Sequence, residues 1–294
     1  MLSALPFLTC KLTEINPVTV PAGFNWQGHR GCRGLLPENS IPAFIKALEF
    51  PEVVTLELDL AVTKDNQLIV SHEPWFNPNI CLQPGRQPIA AADSVRFLIH
   101  QMTVDEVRAF DCGSQGNPRF AGQQKMPTYK PTLREVVAEV RARYPGRSVR
   151  WNMEIKSQPE WDGVRTPPIG AFAQLVVQAL HELRLTDNTT VQSFDVRALQ
   201  AVRQIAPQQR LALLTENALS LEYNLNKLGF QPAVYSPYYL LVDQKLVRRC
   251  HSRGIQVIPW TVNDVPAMRR LIRLGVDGII TDYPDKIASV SQAN

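Results

Sequence analysis

Long apolar runs are missing from this sequence. No stretch of about 18 apolar residues occurs, so no segment is expected to span a membrane. Zinc-type cysteine spacing is missing as well: Cys10, Cys32, Cys81, Cys112 and Cys250 include no CxxC pair. Their odd number argues against a complete disulfide framework and for reduced or buried thiols. Cys81 and Cys112 share one irregular segment, and theirs is the only bridge worth testing. No sign of charge dominates, since 31 Lys and Arg face 27 Asp and Glu for a net +4. With no Lys/Arg stripe, that balance is too small to imply a nucleic-acid partner, and none is expected. A glycine-rich strand-to-helix fingerprint is also lacking, which removes the main support for a doubly wound nucleotide-binding sheet. Aromatics are few, at 8%, within an ordinary globular composition that is 45% hydrophobic and 20% charged. The opening "MLSALPFLTC" is apolar but short and carries no basic residue. It resembles a trimmed signal or lipoprotein end, which leaves the compartment open between cytoplasmic and periplasmic or secreted.

What is present is an alternation. Strand-like runs fall at 24–29, 53–62, 67–72, 149–155, 189–194, 210–215, 233–237, 255–262 and 278–281. Amphipathic helical patterns separate most of them, beginning with "SIPAFIKALEF", where Ser40 is placed to cap and Pro42 to occupy the first turn. Gly254 and Gly275 are expected to terminate two later helices. Nine strands are one too many for an eightfold barrel. Runs 53–62 and 67–72, however, leave no room between them for a crossover helix, so the second is an antiparallel return strand. Removing it predicts a (β/α)₈ TIM barrel over residues 24–294, a single catalytic domain preceded by an N-terminal extension, 1–23. Residues 74–130, rich in Pro, Gly, Asn and Gln, break the rhythm as an irregular insertion after that hairpin.

The hairpin carries the chemistry. A two-residue turn at Asp65-Asn66 would set Lys64 against Gln67 and Asp59 against His72, with Glu57 on the same face. Alternating polar residues also describe an exposed strand face, but other strand ends decide against that. His29 and Arg30 leave the first strand, and Glu154 and Lys156 end "NMEIK". In a TIM barrel the carboxyl ends of the strands build the active site, and so many ionisable groups at one rim require partners. Three carboxylates, Glu57, Asp59 and Glu154, describe an oxygen-ligand site for one divalent cation, Ca²⁺ or Mg²⁺. Arg30 and Lys156 offer positive charge to a phosphate. His29 and His72 offer a general acid and a general base near neutrality. Together these roles describe phosphodiester cleavage.

The segments "HRGCRGLLPENS", "ELDLAVTKDNQLIVSHE", "NMEIK", "QSFD", "WTVN" and "GVDGIITDYP" occur in this order. Between about Trp26 and Pro284 the chain resembles the glycerophosphodiester phosphodiesterase family. The resemblance implies a TIM barrel, metal ligands at Glu57, Asp59 and Glu154, acid–base histidines at His29 and His72, and phosphate contacts from Arg30 and Lys156. It also implies an aromatic wall beside glycerol at Trp260. The implied reaction is hydrolysis of small glycerophosphodiesters, such as glycerophosphocholine or glycerophosphoethanolamine, to sn-glycerol 3-phosphate and an alcohol through a cyclic phosphate. Alternatives are a lysophospholipase D or phospholipase C type of lipid enzyme, or a catalytically silent binding barrel. A lipid enzyme should show an exposed apolar lip, and the polar insertion argues instead for a water-soluble headgroup. Glu38 and Asn39 are expected to touch the site or merely to shape the helix start, and Gln192 to reach it or to hold structure. Trp161 is a candidate contact for the leaving alcohol. Asp282 is read as turn chemistry before Tyr283-Pro284.

Overall fold

A computed structural model describes residues 18–292. In chain order the elements are β1 (Asn25–Gly28), α1 (Ile41–Ala47), β2 (Val53–Val62), β3 (Leu68–Val70), β4 (Leu82–Gln83), β5 (Gln87–Pro88), α2 (Val104–Arg108), α3 (Leu133–Arg143) and β6 (Arg150–Ile155). Then follow α4 (Ile169–Glu182), β7 (Thr189–Ser193), α5 (Val196–Ile205), β8 (Arg210–Thr215), α6 (Leu221–Leu228), β9 (Val234–Pro237), α7 (Gln244–His251), β10 (Gln256–Val257), α8 (Val265–Leu274) and β11 (Gly278–Thr281). The parallel strands lie in the order β10-β9-β8-β7-β6-β2-β1-β11. Backbone bonds from Asp277 N to Val257 O (2.9 Å) and from Ile280 N to Pro259 O (3.0 Å) join the two ends. The result is the expected eightfold barrel. Most of the expected extension, and Cys10 with it, lies outside the described residues.

Helix ends follow local chemistry. Ser40 caps α1 by accepting from Ala43 N, with Pro42 in the first turn. Gly275 caps α8 in the left-handed region, as expected, whereas α7 ends at Ser252 and Gly254 lies two residues beyond. Helix α6, absent from the expected series, is capped by Ser220 and Gly229. Outward-facing strand residues such as Leu58, Met153 and Val191 pack beneath Phe44, Val137 and Phe172 of the surrounding helices in one continuous core. The barrel interior is divided. Beneath β1, β6 and β7 it is polar, with Asn152 Nδ2 donating to Gln27 Oε1 (2.8 Å) and Gln192 Oε1 (2.9 Å). On the opposite half Ala212, Val234, Ile258 and Ile280 form an apolar cluster against Trp260.

The hairpin register differs from expectation. The pairs are Leu60–Val70, Ala61–Ile69 and Val62–Leu68, and Ser71 N donates to Asp59 O at 3.0 Å, so Ser71, not His72, lies opposite Asp59. The loop has one residue more than a two-residue turn: Thr63 N donates to Gln67 O, Asn66 N donates to Thr63 O, and Asn66 sits at φ 57°. Asn tolerates that left-handed position, which closes a three-residue hairpin loop. Insertion residues 74–130 have their own small core of Phe76, Ile80, Ile99, Val107 and Phe110. The Cys81–Cys112 disulfide crosses it, while Cys32 and Cys250 are free and buried.

Candidate active site

Strand register assembles the carboxylates. Pairing of β2 with β6 sets Asp59 beside Glu154, and the two-residue pleat keeps Glu57 on Asp59's face, one step down the barrel. One oxygen from each of Glu57, Asp59 and Glu154 lies within 4.8 Å of the others. Their exposures are 1%, 1% and 6%, so water does little to screen their repulsion. Burial, reinforced by Asp59, pushes the Glu57 carboxyl well above the usual range. Burial likewise pushes Glu154 up to about 7, with Lys156 opposing and Asp59 adding to the rise. Burial would raise Asp59 too, but the charges of Arg30, His72 and Lys156 hold it low.

Neighbours fix each carboxylate. Glu57 accepts from Gln192 Nε2 (2.8 Å) and from the Arg30 backbone N (2.9 Å). Arg30 adopts φ 49°, and Gly31, which follows at φ 83°, would place any Cβ 2.6 Å from the Ala43 backbone. Only glycine lets the chain turn so tightly against α1. Asn39, at φ 55°, donates to Asp59 Oδ2 at 2.8 Å. The Arg30 guanidinium is tied to Glu38 Oε1 (2.7 Å) and Asp59 Oδ2 (3.0 Å), and Lys156 Nζ to Glu154 Oε1 (2.9 Å). Asp59 Oδ1 remains buried without a hydrogen-bond partner. That orphaned oxygen, between two further carboxylates, fits a hard divalent cation.

The histidines are held differently. His29 Nδ1 lies 2.6 Å from Asp282 Oδ1, leaving Nε2 directed toward Glu57, 3.9 Å away. Asp282 is gripped in turn by Arg33 Nε (2.9 Å) and Asn263 Nδ2 (2.7 Å). Burial, with Arg33 contributing, pulls the His29 imidazole down to about 4 against the pull of Asp282. His72, partly exposed, has Nδ1 3.0 Å from Glu73 Oε1, and burial and Arg30 lower it as well. Trp260 is anchored by its indole N–H on Ser236 O (2.9 Å) and meets Phe194 edge-on at 5.3 Å. One cavity of about 800 Å³ is lined by His29, Arg30, Glu57, His72, Glu154, Lys156 and Trp260.

The sequence profile of the glycerophosphoryl diester phosphodiesterase family matches residues 29–286. The chain belongs to that family. It is 28% identical over 262 residues to a glycerophosphodiester phosphodiesterase of Caldanaerobacter subterraneus, covering 89% of this chain and 95% of the relative. A crystal structure from Silicibacter pomeroyi shares the fold at a TM-score of 0.81 and 27% identity, over 94% of this chain and 95% of the other. A phosphodiesterase of Oleispira antarctica, solved with the product sn-glycerol-3-phosphate, shares it at 0.72 and 20% identity, over 92% and 96%.

Within this family member several side chains hold positions that the sequence reading underrated. Asp282 is the partner of His29, not turn chemistry. Asn39 and Gln192 donate to the clustered carboxylates Asp59 and Glu57, and Glu38 holds Arg30. The polar dipeptide "TD" closing the last strand was the available signal for Asp282, since a strand-end carboxylate in this fold faces the site. Trp161, in contrast, pairs edge-on with Trp75 at 5.6 Å and is not part of the cavity wall. Cys32, uninterpreted in the sequence, donates its Sγ to Ala43 O beneath α1. The insertion is less uniformly polar toward the site than its composition implies, because it sends Phe120, beside Arg119, into the cavity wall.

Proposed function

We propose that this chain hydrolyses water-soluble glycerophosphodiesters to sn-glycerol 3-phosphate and an alcohol, with Glu57, Asp59 and Glu154 holding one divalent cation. The observation that carries the reading is the convergence of that carboxylate cluster with His29, His72, Arg30 and Lys156 on a single cavity. The cation would supply Lewis acidity toward the phosphoryl oxygens. Lys156 and Arg30 supply fixed positive charge that draws the phosphate and offsets charge growing on it. Trp260 and Phe194 offer a flat apolar wall to the glycerol carbons. The glycerol 2-hydroxyl attacks phosphorus as one histidine takes its proton and the other donates a proton to the departing alcohol. Water then opens the cyclic phosphate with the two histidine roles exchanged. With Nδ1 committed to Asp282, His29 exchanges its proton at Nε2. The Cys81–Cys112 bridge favours an oxidising compartment. The test is glycerol 3-phosphate release from glycerophosphocholine and glycerophosphoethanolamine, with Ca²⁺, Mg²⁺ or excess chelator. Activity should require metal and vanish in His29→Ala; metal-independent turnover, or turnover surviving that substitution, would overturn the mechanism.

A second reading, cleavage of lysophospholipids, is favoured by one feature. Val164 (53% exposed), Phe194 (39%), Leu219 (51%) and Leu240 (62%) stand on the loops after β6, β7, β8 and β9, at the strand ends that carry the site, and Phe194 lines the cavity itself. The apolar lip absent from most of the insertion is present on the rim. Comparing turnover of lysophosphatidylcholine with that of glycerophosphocholine separates the two readings.

A further inference from the structure

A phosphodiester has two arms, and the cavity offers two unlike walls to receive them. The carboxylate cluster lies at the ends of β2 and β6. In one direction around the barrel come β7 to β10, carrying Phe194, Tyr238 and Trp260. In the other come β1 and β11, carrying Arg33 and Tyr283. The insertion residues that line the cavity, Arg119 and Phe120, both stand on this second wall. Phe120 meets Tyr283 edge-on at 6.2 Å, with the Arg33 guanidinium 5.0 Å from its ring and that of Arg119 5.9 Å away.

The loop bearing these residues is well anchored. Gln123 Nε2 donates to Arg33 O (2.7 Å) and Leu36 O (3.1 Å), Gln124 N donates to Leu35 O (2.9 Å), and Asn117 Nδ2 donates to Glu38 Oε2 (3.3 Å). The cations Arg30, Arg33 and Lys156 are all paired with carboxylates. Arg119 lines the same cavity, is exposed, and has no acidic partner among the described residues. Of the two exposed acids lining the cavity, Glu216 stands on the other wall, after β8, and Asp264, after β10, is engaged as the cap of α8, accepting from Ala267 N (2.8 Å).

We propose that Phe120, Tyr283 and Arg119 form the subsite for the leaving alcohol and that Arg119 selects alcohols carrying a negative charge, a carboxylate or a phosphate. The inference rests on the reading above, in which glycerol takes the Trp260 wall and leaves this wall to the alcohol. A guanidinium on an aromatic face is pre-organised for a planar anion and little hydrated, so it favours an anionic alcohol over a neutral or cationic one of similar size.

The test uses a matched pair of substrates, the glycerophosphodiester of glycerate and glycerophosphoglycerol, which differ by a carboxylate in place of a hydroxymethyl group. Their kcat/KM values are compared for the wild type, Arg119→Gln and Arg119→Lys. The wild type should prefer the glycerate ester by about threefold to fivefold, with the preference shrinking as salt rises. Arg119→Gln should bring the ratio to about one, and Arg119→Lys should retain part of it. An unchanged ratio in Arg119→Gln, or a wild-type preference for the neutral ester, would overturn the subsite while leaving the hydrolase reading intact. Failure to cleave either ester with any metal would overturn both.

Discussion

At the scale of single residues, Asp282 is the most informative side chain outside the carboxylate cluster. It holds His29 Nδ1 and is itself held by Arg33 and Asn263. Asp282→Asn keeps the shape but exchanges an ion for an amide, so kcat should fall about tenfold to a hundredfold, as for other partners that orient a reactive group. Steady-state kinetics across pH would check this, because a purely structural loss would leave the pH profile unshifted. Stability follows with a definite sign. Burial alone would raise the Asp282 carboxyl, but His29 and Arg33 hold it below the ordinary value. Its contribution, on the order of 3 kcal/mol, is therefore fully present above the unfolded value of about 3.9 and is lost only as pH falls through the folded one. The gap between wild-type and Asp282→Asn urea midpoints should stay constant from pH 7 to about 4 and close only in stronger acid. How the groups of the site gather was largely legible: strand ends and alternation anticipated that Glu57, Asp59 and Glu154 meet His29, Arg30 and Lys156 at one rim, whereas His72 reaches it in a register other than the expected one. Their holders were not. Asn39, in the turn before α1, and Gln192 and Asp282, at strand ends, act through contacts with residues distant in sequence, and a lone polar residue carries no sign of which neighbour it grips.

At the scale of elements, the hairpin after β2 and the insertion it opens into are where expectation and structure part. Hydrophobic alternation located β3, but it could not distinguish a two-residue turn from a three-residue loop, and that one residue moved His72 out of register with Asp59. Helix α6 escaped notice because "LEYNLNKL" mixes polar Asn224 into its buried face, where it bonds Tyr235 Oη at 3.0 Å. The Cys81–Cys112 bridge, suspected only from co-location, closes a 31-residue span. By loop-closure entropy it should contribute about 3–4 kcal/mol. Cys81→Ser/Cys112→Ser should thus lower the urea midpoint and expose the insertion to protease. Metal affinity measured by calorimetry should stay unchanged in that variant, because the three proposed ligands lie on β2 and β6.

At the scale of the whole molecule, the barrel brings three carboxyl groups together in a buried place, and the cost of ionising them side by side opposes folding, a cost the proposed cation would offset. Saturating Ca²⁺ or Mg²⁺ should raise Tm, with about 2.7 kcal/mol gained when the ion is at a hundred times its Kd. Chelator should reverse the shift, and Asp59→Asn should abolish it; differential scanning calorimetry measures both. The barrel itself was legible because strand and helix periods alternate along the chain, and only the excess ninth strand needed argument. A last consequence lies in how the chain enters and leaves its insertion. Val70 N donates to Pro131 O at 2.8 Å and Ile69 bridges Thr132, so the excursion departs and returns at adjacent points. Its two ends are already clamped, and closing a longer or shorter loop between them costs little extra entropy. The segment can therefore behave as an exchangeable cassette: a graft there that keeps the Asn117 and Gln123 bonds to Glu38 and Arg33 would redraw one wall of the mouth while the carboxylates and histidines, carried by the barrel and the hairpin, stay as they are.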